Sequence, residues 1–455
     1  MTFFTKLAKQ YFSRLQRKQF QRLKGRRRLF VEQLEERIAL AAGGLDPSFG
    51  GGVRVIATSL HSHAADLAAQ TDGKTVVVGS IQRDTAGDYD FFVSRLLANG
   101  SSDTSFGSRR TGGVVIPFDL GGNISDMANA VAIQSDGKIV VAGTVTSRSG
   151  DTDMGVVRLN MNGTLDSTFG VNGKVTVAFN RGAVGRRQDR ATDVAISSGR
   201  IILVGSSQSS TGDYDFAFAR LSSNGFLDRT FSSDGKNIAA LNLGGDKFDE
   251  ATSVAVQGDG KIVAVGSARK STTDTQSVVM RLNTNGSFDT TFGQGGKVLQ
   301  GDSLFDRATG VVIQSNGRIV VGGYSQMTSA GDYDFRVTRL LVTGAMDTSF
   351  SGDGTTTISF NLGQSNRDLA YGVAVQADGK ILIAGSVQRA RTGDTDMGIV
   401  RLTSTGRFDT TFGTGGGVVV PLTSLADGAL SIKIRPNGRI VVAGFAQSQI
   451  TAKYQ

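Results

Sequence analysis

The feature that most narrows what this 455-residue chain can fold into is a repeat of about sixty residues. An anchor of the form Leu-Asp-x-x-Phe-Gly, variable at its first and last positions, places Phe at 49, 106, 169, 231, 292, 350 and 412. A second anchor, [Asp/Asn]-Gly-[Lys/Arg], places Gly at 73, 137, 199, 260, 317, 379 and 438, with Ser198 replacing the acid or amide in the third copy. A third, Arg-Leu, falls at Arg95, Arg158, Arg220, Arg281, Arg339 and Arg401, with Lys453-Tyr454 in the corresponding place at the C-terminus. A fixed period of this length marks a solenoid, a propeller or an array.

Within the second copy, four short strands are expected at 113–117, 129–134, 138–143 and 153–159. Asp136-Gly137 separates the second from the third and predicts a two-residue type I′ hairpin, whose central residues both need positive φ. A Gly-Asp-x-Asp stretch joins the third strand to the fourth. Tight hairpins exclude a parallel β-helix. Runs such as Lys-Ile-Val-Val-Ala-Gly are apolar on both faces, as strands of stacked sheets must be. Seven near-equal units without distinct caps argue for closure, so the expected fold is all-β: a seven-bladed β-propeller of four-stranded antiparallel blades.

The residues Gly137–Gly143 and Asp153–Gly170 also resemble the bacterial delta-60 repeat, a likeness that covers about 410 of the 455 residues. That resemblance implies a propeller fold and a surface or exported setting. It carries no catalytic residues over to this chain.

Composition bears on chemistry by subtraction. With Cys 0, there is no disulfide, thiolate metal site or cysteine nucleophile. His61 and His63 are the only histidines, too few for a multi-His centre. Only four acids are Glu (Glu32, Glu35, Glu36 and Glu250), and the Asp that dominate favour turns over helix surfaces.

Residues 1–41 hold 11 of the 49 Lys and Arg and three of the 40 acids, so the remaining 38 basic and 37 acidic residues nearly balance. The high pI describes a tail, and the body has no net-charge case for binding nucleic acid. The tail itself, with Phe3, Leu7, Phe12, Leu15, Phe20 and Leu23 among basic residues, predicts an amphipathic helix. No apolar run reaches the ~18 residues of a membrane span. Arg26–Ala42 resembles the LEPR-type N-terminal motif of planctomycete exported proteins through Glu32, Leu34, Glu35, Arg37 and Leu40, with Glu36 where that family has Pro. The resemblance implies export. The expected division is a basic targeting segment, 1–43, and the propeller, 44–455.

Recurring residues read mainly as structure. The seven Phe suit gaps between neighbouring blades. The Arg of Arg-Leu shares a strand face with apolar residues, as with Phe216, Phe218 and Arg220, and so needs an acid. Two Asp recur within reach: that of the Leu-Asp motif, such as Asp228, and that before the second strand (Asp126, Asp189, Asp249, Asp306, Asp368, Asp427). The Gly-Asp-x-Asp loops give Asp88 and Asp90, Asp151 and Asp153, Asp213 and Asp215, Asp332 and Asp334, and Asp394 and Asp396. These ten are the candidate Ca²⁺ ligands, although each loop falls short of the 6–8 oxygens Ca²⁺ takes, and turn-capping is the favoured role. Five copies do not suit a unique acid–base pair, and no nucleophile elbow or phosphate loop occurs. The expected function is a non-catalytic, exported or cell-surface scaffold, monomeric, that binds a protein or glycan through loops that differ between copies: 84–87, 181–190 and 325–330. A propeller-type glycan hydrolase or lyase and a structural envelope protein are the alternatives.

Overall fold

The computed structural model describes residues 28–34 and 43–447, apart from 57–61, 84–87, 109–110, 119, 122–124, 183–186, 245–247, 272, 302–304, 327–330, 361, 363–366 and 390–393. Every regular element among them is a β-strand. Strands β1 (Arg28–Leu34) and β2 (Val53–Ile56) open the chain. A first four-stranded unit follows: β3 (Ser62–Ala69), β4 (Thr75–Gln82), β5 (Tyr89–Leu96) and β6 (Gly113–Ile116). The second has β7 (Met127–Ile133), β8 (Ile139–Thr146), β9 (Thr152–Leu159) and β10 (Lys174–Val177), and the third β11 (Asp189–Ser197), β12 (Arg200–Gln208), β13 (Tyr214–Leu221) and β14 (Lys236–Ala239). The fourth has β15 (Asp249–Val256), β16 (Ile262–Arg269), β17 (Thr275–Leu282) and β18 (Lys297–Gln300). The fifth has β19 (Phe305–Ile313), β20 (Ile319–Gln326), β21 (Tyr333–Leu340) and β22 (Thr355–Ile358). The sixth has β23 (Leu369–Val375), β24 (Ile381–Gln388), β25 (Thr395–Leu402) and β26 (Gly417–Val420), after which come β27 (Asp427–Ile434) and β28 (Ile440–Ala446). Each unit pairs in chain order and antiparallel, and short parallel bridges join neighbours: Thr275↔Phe305 between the fourth and fifth, with Thr152↔Gln188, Tyr214↔Phe248 and Tyr333↔Arg367 at three other crossings.

The hairpins reverse one expectation. Where Asp-Gly or Asn-Gly occurs, the loop is longer than two residues: Gly73 N donates to Gln70 O at 3.0 Å, and Gln70 N to Lys74 O at 2.8 Å. Gly73 has φ 82°, but Asp72 is not among the positive-φ residues. That is an ordinary turn closed by a left-handed glycine. The two-residue hairpin with both φ positive occurs in the third copy, at Ser198 (48°) and Gly199 (76°), between paired Ser197 and Arg200. That copy is one residue shorter, and length chose the turn over residue type.

Each inner strand also carries a bulge, as between Ala191 and Asp193 opposite Gly205–Val204. The bulge drives its backbone toward the second strand. A Cβ on Gly205 would run into Arg190 O, and one on Gly79 into His63 O. The recurring glycine of each second strand therefore sits where the two backbones approach most closely.

The core lies between units. Val131, Ile139 and Val141 of the second unit pack with Val76, Phe91 and Phe106 of the first, and later neighbours repeat the arrangement. Val441 and Ala443 of β28 pack on Ala64, Leu67 and Val77 of the first unit, so the last sheet covers the first.

The N-terminal segment departs from the expected helix. Residues 28–34 are β1, which pairs antiparallel with β28 from Arg28↔Ala446 to Leu34↔Ile440, and with β2 from Leu29↔Ile56 to Glu32↔Val53. The sheet order is β2-β1-β28-β27. The slot expected for the chain's last residues is thus filled by residues 28–34, which lie on the N-terminal side of position 43. Physically, β28 is an apolar strand with an open edge, and Arg28–Leu34 (Arg-Leu-Phe-Val-Glu-Gln-Leu) has the β-formers to pair with it. Residues 1–27, 35–42 and 448–455, including Lys453-Tyr454, lie outside the described residues.

Candidate functional site

Antiparallel four-stranded units place their connections at two ends. One end collects the inner hairpins and the links between third and fourth strands. The other collects the Gly-Asp-x-Asp loops and the crossings to the next unit.

The first end is structural. Arg95, Arg158, Arg220, Arg281, Arg339 and Arg401 pair through Nε with Asp103, Asp166, Asp228, Asp289, Asp347 and Asp409 at 2.7–3.0 Å. Of the two recurring acids, the one in the Leu-Asp motif is the partner. The guanidinium carbons stand 4.5–4.9 Å above the centroids of Phe106, Phe169, Phe231, Phe292, Phe350 and Phe412. Five of these Arg reach a carbonyl of the following unit, as Arg158 does with Ser223 O. Burial by itself would raise these carboxyls. Hydrogen bonds from Ser or Thr two residues on, with the guanidinium, instead hold Asp103, Asp166, Asp228, Asp289, Asp347 and Asp409 below the usual carboxylate range.

The last unit lacks that Arg: Gln33 of β1 stands opposite Val441, where the other copies place it. Arg435 substitutes from the end of β27. It lies 5.7 Å over Phe49 and donates to Ala98 O at 3.0 Å.

At the second end, the candidate Ca²⁺ loops are braced internally. The carbonyls of Asp88, Asp151, Asp213 and Asp394 accept from Arg83, Ser147, Ser209 and Arg389 N–H and close the turns. Asp90 pairs with Arg83 at 3.1 Å, Asp215 with Arg181 at 2.6 Å, and Asp396 with Arg389. Asp334 accepts from Ser359. The pair Asp332 and Asp334 sits half-buried at the start of β21.

The Asp before each inner strand lies beside these loops and locks backbone. Asp126 accepts from Phe118 N at 2.9 Å and Thr146 N at 3.1 Å. Asp368 does so from Phe360 N at 2.9 Å and Gln388 N at 3.2 Å. Burial, helped by the neighbouring acids, pushes Asp126, Asp249, Asp368 and Asp427 up to about 6. Burial does the same to Asp153, with Asp189 and Asp151 adding to it. Among the described residues, no group of three or more His, Cys, Asp or Glu is arranged to hold a metal ion. His63 lies on β3, whereas His61 and the loop 84–87 lie outside the described residues, as do parts of 181–190 and 325–330.

Two acids escaped the sequence reading. The inner strands line a cavity of about 630 Å³, and Asp66, Asp193 and Lys433 face it. No repeated motif contains them. The available signal was their departure from Ala130, Ser253, Gly310, Gly372 and Ser431 at the matching position of the other copies. They serve the exposed edges of the inner strands, whose backbone groups have no strand beyond them. Asp66 accepts from Val131 N at 3.0 Å and Ser431 Oγ at 2.6 Å, with Lys433 Nζ at 3.6 Å. Asp193 accepts from Ser253 Oγ and Val254 N, both at 2.8 Å. Thr192, Thr252 and Thr309 donate to Ala251, Ala308 and Ala370 O of the next unit at 2.7–3.0 Å. Burial, then the Asp66 charge, raises Asp193 to about 6 against the pull of Lys433.

The second end also carries a local aromatic group. Phe305 and Tyr324 stack at 6.2 Å and 11°. Tyr333 meets both edge-on, at 5.8 and 5.9 Å. Arg367 lies 5.6 Å over Tyr333. Beside them, Arg307 pairs with Glu250 at 2.9 Å, and Tyr371 lines the cavity. In neighbouring units, Arg190 lies 5.9 Å over Tyr214, and Arg269 lies 5.7 Å over Phe248.

No curated protein matches the chain in sequence. Among solved structures, Sqt1 from Chaetomium thermophilum is 13% identical over 82% of this chain and 75% of its own, with a TM-score of 0.39. A PL25 ulvan lyase is 12% identical over 84% and 91%, with a TM-score of 0.41. An α-L-arabinofuranosidase from Fusarium graminearum is 10% identical over 70% and 92%, with a TM-score of 0.38. The family model described as "Domain of unknown function (DUF5122) beta-propeller" matches residues 70–106, 134–169, 196–231, 257–292, 314–350 and 376–412, copy after copy in register with the anchors. The chain is a β-propeller repeat protein, and six of its copies match that family model.

Proposed function

We propose that this protein is a non-catalytic binding scaffold of the delta-60 type: seven blades closed into a ring, exported or displayed at the cell surface, holding a protein or glycan on the end that bears the Gly-Asp-x-Asp loops. The observation that carries the reading is where the copies stop resembling one another. On the first end, the Arg–Asp–Phe set recurs with near-constant geometry. On the second end, Tyr324 stands where five other copies have Ser or Thr, and Arg190, Glu250 and Arg307 succeed one another on adjacent inner strands. A repeat keeps what the core needs, and local departures at a half-exposed rim answer to something outside. The packing of β28 on the first unit supports closure. The likeness of Arg26–Ala42 to the LEPR-type motif supports export.

A glycan and surface-protein array probed with the full chain tests this. Tyr333→Ala and Arg367→Ala should abolish a binding event that Arg407→Ala, on the opposite end, leaves intact; the reverse pattern overturns it. For export, Arg26→Glu with Arg27→Glu, which leave β1 in place, should retain the protein in the cytoplasmic fraction. An unchanged distribution rejects targeting.

One observation favours a glycan hydrolase or lyase instead: two unrepeated carboxylates, Asp66 and Asp193, share a cavity with unequal environments, as acid and base often do. Their hydrogen bonds to the neighbouring strands support a bracing role. Release of reducing or unsaturated sugar that disappears in Asp193→Asn would decide for the enzyme.

A further inference from the structure

The half-exposed rings of the second end stand where the fold does not ask for them. The position of Tyr324 is filled by Ser80, Thr144, Ser206, Ser267 and Ser386 in five of the other six copies and by Phe445 in the last, so a small hydroxyl residue satisfies the sheet there. A tyrosine placed for packing would be covered. Tyr324, Tyr333 and Phe305 are each only partly buried. Their arrangement is a parallel pair with a third ring across it, and ring faces of this kind receive the C–H faces of flat-lying rings.

Acids stand near the rings too, but most are bonded within the fold: Asp306 to Arg336 at 3.1 Å, Asp334 to Ser359, and Asp368 to the backbone N–H of Phe360 and Gln388. Arg367 lies over Tyr333 and is exposed. Arg307 is held by Glu250, with 31% of its side chain still open to solvent. A guanidinium oriented by a ring or a single acid keeps N–H groups for a planar anion.

We propose that Phe305, Tyr324, Tyr333, Tyr371, Arg307 and Arg367 form a subsite for an anionic polysaccharide, with sugar rings on the aromatic faces and carboxylate or sulfate groups at the arginines. This rests on the binding-scaffold reading and names its ligand class. A peptide strand would need an open sheet edge, whereas the inner edges are served by the Thr and Asp bridges of the cavity wall. A nucleic acid would need a basic field, and residues 42–455 carry 38 basic against 37 acidic side chains. Tyr324 fits the role of a neutral donor: burial raises its phenol above the ordinary value, and nearby Arg307 opposes that only in part.

The test is calorimetric titration of the full chain with a tetragalacturonate, a sulfated galactan oligosaccharide and a neutral galactan oligosaccharide of equal length. At least one anionic sugar should bind, and the neutral one about tenfold more weakly or not at all, as expected for loss of one charge-assisted contact. The two anionic arms separate carboxylate from sulfate preference. Tyr333→Ala and Arg367→Ala should each lower affinity about tenfold, with the melting temperature unchanged. Equal binding of the neutral sugar, or anionic binding that survives both variants, overturns the proposal. If no sugar binds while the two variants abolish an array-detected protein contact, the ligand class is wrong and the scaffold reading stands. If neither sugars nor proteins respond to the variants, both fall.

Discussion

The recurring arginine shows how one residue couples several surfaces. Its charge is neutralised by an Asp eight residues on, its plane rests on a Phe, and its far end reaches a carbonyl of the next unit. Truncating the arginine leaves a buried Asp held only by a half-buried Lys, as Lys261 at 3.0 Å from Asp289, a loss of at most the ~3–5 kcal/mol of a stranded charge. Arg281→Met should therefore lower stability by that order, and Arg281→Met with Asp289→Leu should recover part of it; chemical denaturation of the three chains measures this. Titration gives a second expectation, with opposite signs in two pH windows. Asp126, Asp193, Asp249, Asp368 and Asp427, ordinarily near 3.8, sit at about 6 through burial, so between those values the folded chain binds more protons than the unfolded one. Stability then falls as pH rises from about 4 to about 6. Asp228 and Asp409, held at about 2, act in the other window: their contribution is complete above the unfolded value and is lost as pH falls toward 2. The melting temperature should therefore peak near pH 4, and Asp126→Asn should flatten the limb above it. A melting temperature that climbs steadily from pH 4 to 7 would contradict this.

Among the elements, the glycine in the middle of each second strand is fixed by the bulge opposite it. A side chain at Gly266 would strike Glu250 O and Ala251 Cα, both backbone and unable to swing aside. Gly266→Ala should cost at least the ~1–3 kcal/mol typical of overpacking. Gly258→Ala, where a Cβ meets nothing, should cost far less, and thermal melts of the pair separate the two effects. Strand existence was legible in the sequence because the apolar runs and turn residues repeat, but the phase of the unit was not: residues 113–116, expected as the first strand of the second copy, pair with Tyr89–Leu96 as the last strand of the first unit, and the Gly-Asp-x-Asp loop accordingly joins the second strand to the third. The bulge was not legible either, since one extra residue in one strand leaves no compositional mark. The hairpin type was misjudged for a related reason: Asp-Gly serves both a two-residue turn and a longer turn ending on a left-handed glycine, and only loop length distinguishes them. The cavity acids leave no periodic signal, because Asp66 and Asp193 are departures from the repeat rather than part of it. The Gly-Asp-x-Asp loops, already closed by their own carbonyl acceptors and arginine partners, should behave as structure. Adding 1 mM Ca²⁺ or a chelator, about the range of weak extracellular sites, should leave the melting temperature unchanged. A rise with Ca²⁺ that Asp394→Asn removes would assign the metal after all.

Across the whole molecule, the decisive element is the short strand contributed from the N-terminal region. Every other unit draws its strands from one stretch of chain, whereas the sheet of β27 and β28 takes both outer strands from the opposite end. A chain joined in this way cannot open its last unit without separating its two ends, so the pairing of β1 adds cooperativity as well as area. Val31 lies mid-strand, opposite Ala443 on one side and Arg54 on the other. Proline there removes a ladder donor and introduces a ring that an interior strand does not tolerate. Val31→Pro should lower the melting temperature of the full chain and promote self-association, because β28 would present an unpaired apolar edge. Phe12→Pro, sixteen residues before the start of β1, should do neither. Were residues 28–34 a detached amphipathic helix, the two substitutions would be alike in leaving the melt untouched. The same contrast bears on the proposed export: a targeting role for a segment that also supplies strand β1 requires that it act before that sheet forms. Val31→Pro, by slowing closure, should then raise the exported fraction per molecule synthesised while lowering the stability of what arrives, and fractionation read beside the melt checks both.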